Sequence, residues 1–202
     1  MNPYAEEKLN QTIWVAKSLF ERGKVAGSAA NISVRDGELV YISGSGTCFG
    51  TLKKSDFAVV NMEGRHIEGP KPSKELPLHL MMYEKSGVEA VIHTHSFYAT
   101  LWSCLKHEDT SDVFPSYTPY LRMKVGKIGV IPYAAPGSEE LFQNFRLGLE
   151  KSDGYLLQNH GIVVGGKNIL DAFYGAEELE ETARTAWELR RLPAEEIHKI
   201  QE

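Results

Sequence analysis

The segment "AVIHTHSFYAT", residues 90–100, sets His93 and His95 two apart at the end of an apolar run. In a strand, side chains two apart leave the same face. His93 and His95 then project together, Thr94 projects the other way, and the pair can chelate. Two hydrogen-bonded histidines that simply lie close would show the same spacing. His160 adds weight to the metal: in "LLQNHGIVV" it also follows an apolar strand and precedes a glycine. Open α/β sheets gather their sites at strand ends. Three imidazoles there suit a catalytic metal that keeps one position for substrate. Zinc is the expected ion, and a His-rich site also accepts manganese, cobalt or iron. Glu75 follows "KPSK" at the start of a predicted helix. A carboxylate in a first turn is ordinarily a dipole partner. Beside a dication it is instead a fourth ligand, or a proton donor and acceptor. The pattern by itself leaves these open. His79, on the same predicted helix, reads as a core or supporting residue, and His66, His107 and His198 read as surface residues.

Three short polar segments, "GSAANIS", "SGSGTCFG" and "KPSKE", offer backbone N–H groups and small side chains. Lys74 adds a positive charge near a helix start. Together they suit a phosphate dianion, although each by itself is an ordinary turn.

Elements of both kinds must position these residues. Residues 4–22 place Leu9, Ile13, Ala16, Leu19 and Phe20 on one helical face, with Gly23 as the stop. "AANISVR" and "ELVYIS" form a hairpin about Asp36-Gly37, and "FAVVNMEGRHIEG" a second about Glu63-Gly64. "SKELPLHLMMYEKSG" reads as a helix with Ser73 as N-cap and Gly87 as terminator. "EAVIHTHS" is a buried strand and "SFYATLWSCL" a helix. "TPYLRMKVGKIGVIPYAAPGS" holds one or two short strands. "EELFQNFRLGLEKS" is a helix, and "GYLLQNHGIVVGG" two strands about a turn. A long helix capped by Asn168 follows. Strands and helices alternate without a linker or repeat, so a single α/β domain over residues 1–202 is expected.

Composition narrows the class. At 42% hydrophobic and 24% charged residues the chain reads as an ordinary globular protein. Its net charge of -5 argues against nucleic acid or anionic lipid as a partner. Two cysteines, Cys48 and Cys104, make no disulfide framework and suit a reducing compartment. No basic and apolar leader opens the sequence, and no run approaches the ~18 apolar residues that span a membrane. A cytoplasmic protein is expected.

The order "GSAANISVR", "SGSGTCFG", "PSKE", "HTH" and "NHG" resembles the class II aldolase/adducin family over nearly the whole chain. The resemblance implies a three-layer α/β/α sandwich with a mixed central sheet. It implies His93, His95 and His160 as metal ligands, and Glu75 as the catalytic acid/base that also binds metal when substrate is absent. Ser28, Asn31, Ser45, Gly46, Ser73 and Lys74 match positions that hold a substrate phosphate. Ala30 departs from the glycine usual before the asparagine. The family commonly forms homotetramers with sites between subunits, which makes Tyr117 and Tyr120 candidates to cross an interface, with Tyr120 the proposed catalytic contributor. Lys74, "SCL", "PSYTPYLRMKVG", "VIPYAAPGS" and "EELEETAR" are most similar to 3-oxo-tetronate 4-phosphate decarboxylases, although "SGSG" replaces the Thr-Pro-type loop of that group. The implied reaction is loss of CO2 through a metal-bound enediolate, giving dihydroxyacetone phosphate. An aldolase cleaving a (deoxy)ketose 1-phosphate, or a non-catalytic adducin-like scaffold, are the alternatives.

Overall fold

The computed structural model describes residues 3–200. Its strands join one eight-stranded sheet. They are β1 (Ala30–Asp36), β2 (Leu39–Ser43), β3 (Phe57–Asn61), β4 (His66–Glu68), β5 (Ala90–Thr94), β6 (Ile128–Ile131), β7 (Gly154–Leu157) and β8 (Gly161–Gly166). The order is β4-β3-β2-β1-β5-β8-β7-β6. Every pairing is antiparallel except β6 with β7, so the sheet is mixed.

Period-two alternation divides the core. Ile32, Val34, Ile92, Ile162 and Val164 pack on one side with Leu9, Ala16 and Leu19 of α1 (Pro3–Glu21) and Phe173, Ala176 and Leu179 of α6 (Ile169–Leu189). Ala99 and Trp102 of α3 (Phe97–Ser103) join that layer. Val40, Ile42, Val60, Val91 and Val163 pack on the other side. There they meet Leu78 and Met82 of α2 (Leu76–Tyr83) and Leu141 and Phe145 of α5 (Glu139–Gly148). The result is the expected three-layer α/β/α sandwich. Asn168 caps α6, its side chain accepting from Asp171 N at 2.9 Å.

Several local expectations are corrected. α2 begins at Leu76 with Glu75 at the N-cap and Pro77 in its first turn, so Ser73 lies outside the helix. Ser73 Oγ instead accepts from Glu75 N at 3.3 Å, in the turn ahead of the helix. Residues 118–138 hold one strand, β6, within the one or two expected, and in addition a short helix that was not expected, α4 (Tyr120–Lys124). Leu121 anchors that helix in the core, and Gly126, at φ +105, turns the chain out of it. Phe20 is 37% exposed, whereas Thr12 is buried on the inner face of α1. The Phe20 ring lies along Gly50, where a Cβ would meet it at 2.6 Å. His107 is half-buried, its Nε2 within 3.0 Å of the Trp102 carbonyl oxygen, and is not a surface residue.

Candidate metal centre and phosphate cleft

β5 lies between β1 and β8 and is buried along its length. Its alternation sends Ile92 into the α1/α6 layer and Val91 into the α2/α5 layer. His93, two residues beyond Val91, therefore leaves the sheet on the α2 side. β1 pairs with β5 so that Asn31 lies opposite His93 and Ser33 opposite Val91. Two polar side chains of β1 thus share the face of His93.

His160 reaches the same place from the turn between β7 and β8. Asn159 adopts φ +56, a left-handed conformation that asparagine tolerates. Gly161 is required by close approach: a Cβ there would clash with the Thr94 carbonyl oxygen and meet His95 Cδ2 at 2.8 Å. The "NHG" tripeptide thereby lets His160 and His95 face each other, with ring centroids 4.7 Å apart.

The three imidazoles converge with Glu75. His93 Nε2 lies 3.0 Å from His95 Nε2 and 3.1 Å from Glu75 Oε2, and His160 Nε2 lies 3.4 Å from Glu75 Oε1. His93 Nδ1 donates to the Ile162 carbonyl oxygen at 2.8 Å, which leaves the lone pair on Nε2. That lone pair faces a carboxylate oxygen. Acceptors gathered this closely need a cation or a shared proton among them. Glu75 Oε1 and His160 Nδ1 are also buried without a hydrogen-bond partner. One ligand atom from each of the three histidines lies within 4.8 Å of the others. The donor set fits a divalent ion.

The electrostatics agree. Burial pushes the His93 ring down to about 3 and the His95 ring down to about 4, and lowers His160 as well. All three are neutral near pH 7, the form that ligates. Burial pushes the Glu75 carboxyl up, but His93, the Asn31 amide and His160 together outweigh it and leave it below its ordinary value. The pull of His93 and His160 requires charged rings, which burial suppresses near neutrality. The Asn31 Nδ2 bond to Glu75 Oε2, 3.0 Å, is the support that persists.

A cleft of about 270 Å³ opens beside this cluster, lined by Ser28, Ala29, Ala30, Asn31, Gly44, Ser45, Gly46, Ser73, Lys74, Glu75, His93, His95, Pro136 and His160. All six residues assigned to phosphate border it. Gly46 adopts φ +78, and Gly137, at φ +77, sits against the Lys74 stem. The Asn31 side chain also bridges Glu75 and His79. Larger cavities of about 750 Å³ beside α2 and α5 and about 520 Å³ beside β6 and α5 hold none of these residues. Tyr120, 56% exposed at the start of α4, does not line the cleft, and Tyr117 packs against the α1/α6 core.

Two features were not read from the sequence. One is the set of partners around Asn31 and His79. The other is Glu180 of α6, 3% exposed, which accepts from Tyr98 N at 3.1 Å and Ala99 N at 2.8 Å. Ser96 offers no side-chain cap to α3, so Glu180 closes its first turn from across the layer and steadies the chain just after His95. Of the four glutamates in "EELEETAR" Glu180 alone is buried, and its spacing from Phe173, Ala176 and Ala183 on the inner face of α6 is the signal that could have found it.

A family model for the class II aldolase and adducin N-terminal domain matches residues 10–187. A 3-oxo-tetronate 4-phosphate decarboxylase of Haemophilus influenzae is 40% identical over 192 residues, covering 94% of this chain and 90% of its own. An L-fuculose phosphate aldolase of Methanococcus maripaludis is 38% identical over 185 residues, covering 91% and 98%. The crystal structure of YgbL from Klebsiella pneumoniae superposes with a TM-score of 0.90 at 34% identity, covering 97% of this chain and 94% of that one.

Proposed function

The chain belongs to the class II aldolase and adducin family, and from that membership we propose that it is a metal-dependent lyase that decarboxylates 3-oxo-tetronate 4-phosphate to dihydroxyacetone phosphate and CO2. One observation carries the reading: three neutral imidazoles, a buried carboxylate and a lysine border one small cleft. The decarboxylase relatives, at 37–40% identity over most of the chain, set the substrate class.

Nε2 of His93, His95 and His160 would hold the ion, with zinc the proposed metal. Bound there, it supplies positive charge against the negative charge that develops on substrate oxygens as a C–C bond breaks. Glu75 would take up a proton from solvent or the substrate hydroxyl and deliver it to the carbon that loses carboxylate. The glycine and serine loops and Lys74 hold the phosphate, which fixes the reacting carbon and contributes binding away from it. Retro-aldol cleavage of a ketose 1-phosphate leaves the same enediolate, and the aldolase relative favours that as the second reading. The intact ligand set disfavours a non-catalytic scaffold.

Product identity tests the proposal. With the unmodified protein, CO2 release coupled to dihydroxyacetone phosphate supports the decarboxylase. Cleavage of a ketose 1-phosphate to an aldehyde, with the keto acid untouched, would replace it with the aldolase.

Lys74→Ala should raise KM for the phosphorylated substrate by roughly 10–100-fold, the worth of one hydrogen bond to a charged group. The unphosphorylated analogue should change far less, and equal losses for both would place Lys74 outside the phosphate site.

A homotetramer in the cytoplasm completes the proposal, and no described helix is long and apolar enough to cross a membrane. Tyr120 would then enter a neighbouring subunit's cleft. Mixing Tyr120→Phe chains with Glu75→Gln chains, each inactive alone, should recover part of the activity. No recovery after verified subunit exchange would return the whole site to one chain.

A further inference from the structure

The α2 side of the sheet buries a line of polar groups that metal binding does not require. Tyr83 OH lies 2.5 Å from Ser33 Oγ, and Ser33 Oγ lies 2.7 Å from His79 Nδ1. His79 Nε2 lies 2.5 Å from Asn31 Oδ1, and Asn31 Nδ2 lies 3.0 Å from Glu75 Oε2. Ser33 and His79 are fully buried, and Tyr83, Glu75 and Asn31 are at most 6% exposed.

Donor and acceptor rules fix the direction of every link. The Asn31 NH2 group donates to Glu75 Oε2, and its carbonyl oxygen, which only accepts, faces His79. His79 Nε2 must then carry the proton and donate. Burial holds this ring neutral, its pKa pushed down to about 4. A neutral ring with Nε2–H has a bare Nδ1, so Ser33 donates to it. The Ser33 oxygen accepts in turn, which makes Tyr83 the donor at the far end.

We propose that Tyr83, Ser33, His79 and Asn31 form one buried hydrogen-bond chain of single polarity that holds Glu75 by Oε2 and reserves Oε1 for proton exchange, with His79 the positioning residue. All four dipoles aim their positive ends at one carboxylate oxygen, and aligned bonds strengthen one another. Glu75 Oε1 is the oxygen left without a hydrogen-bond partner. The two oxygens of one carboxylate are thereby made unequal. The second half of the proposal rests on Glu75 acting at the substrate carbon, as in the reading above.

The first test is independent of that reading. In zinc-loaded protein with 15N-labelled histidine, His79 should be protonated on Nε2 and His93 on Nδ1, opposite tautomers on two rings joined through Asn31 and Glu75. His79 protonated on Nδ1 would reverse the chain and overturn the proposal. The second test follows deuterium entering dihydroxyacetone phosphate in D2O, which reads the proton step without C–C cleavage. His79→Leu should slow exchange by about 10–100-fold, the usual cost of losing a partner that orients an active group, with the half-saturating concentration little changed. His79→Gln restores an N–H near the Nε2 position and should recover most of the rate. Ser33→Ala, a milder change that preserves packing, should show a smaller loss in the same parameter. Equal losses for Leu and Gln, or losses confined to half-saturation, would reduce His79 to a packing residue. If the wild type exchanges no deuterium, or Glu75→Gln exchanges as fast as wild type, the functional reading fails and takes the Oε1 assignment with it. Exchange abolished in Glu75→Gln but unaltered in His79→Leu would overturn the positioning role alone.

Discussion

Glu75→Gln should lower kcat by on the order of 10²–10⁴, the usual worth of general acid–base catalysis, while leaving KM close to wild type. The amide keeps the size of the carboxylate and can still meet Asn31, but it neither gives nor takes a proton. Glu75 is 4% exposed and stands within 3.1 Å of His93 Nε2, so no water-accessible carboxylate can replace it from the same position. Loss of a purely structural group would instead lower thermal stability and raise KM together. Steady-state kinetics with the metal content held at the wild-type level decide between them. A kcat within a few-fold of wild type would remove Glu75 from the proton step.

His93→Ala should lose most of the bound metal, and with it the activity. Among the three histidines, His93 is the one whose tautomer is locked by a backbone bond, Nδ1 to the Ile162 carbonyl oxygen at 2.8 Å. It is also fully buried on a central strand, so no neighbouring side chain can swing in to replace it. The loss of affinity should exceed the roughly 10–100-fold that removal of an outer partner costs. Elemental analysis after dialysis reads it directly, about one ion per wild-type chain against a small fraction in the variant. Circular dichroism of the metal-free proteins separates loss of the ligand from loss of the fold. A His93→Ala chain that kept its ion would mean that a different ligand set holds it.

Local pattern made much of this legible. The apolar alternation of "AVIHTHS" assigned His93 and His95 to one face, and the strand on either side of "NHG" placed His160 at a strand end. The order of the polar segments then indicated the three-layer fold and the family. The stripe Glu75, His79 and Tyr83, spaced four apart on or just ahead of one helix, was equally visible, as were Asn31 and Ser33, spaced two apart on one strand. Each set by itself is an unremarkable run of polar residues at its element's period.

What the sequence by itself determined is therefore the chemistry available: the residue types, the face of the strand or helix each one leaves, and the family. Only the tertiary structure decided which faces meet. The β1–β5 register sets Asn31 opposite His93, and the layer order brings α2 onto that same face. That pairing turns two unconnected polar stripes into a chain ending on Glu75, and it gives Asn31, which also borders the cleft, a contact to the carboxylate. Glu180 likewise became a cap only when α6 packed beside α3. The placement of Ser73 before α2 and the helix at Tyr120–Lys124 were lost for a related reason. Short segments carry weak local preferences, and one buried anchor or one turn glycine is enough to override them. Side-chain periodicity is a property of a single element, whereas register and packing are settled by the burial of all elements together. A sequence pattern therefore specifies the direction of a side chain more readily than its partner.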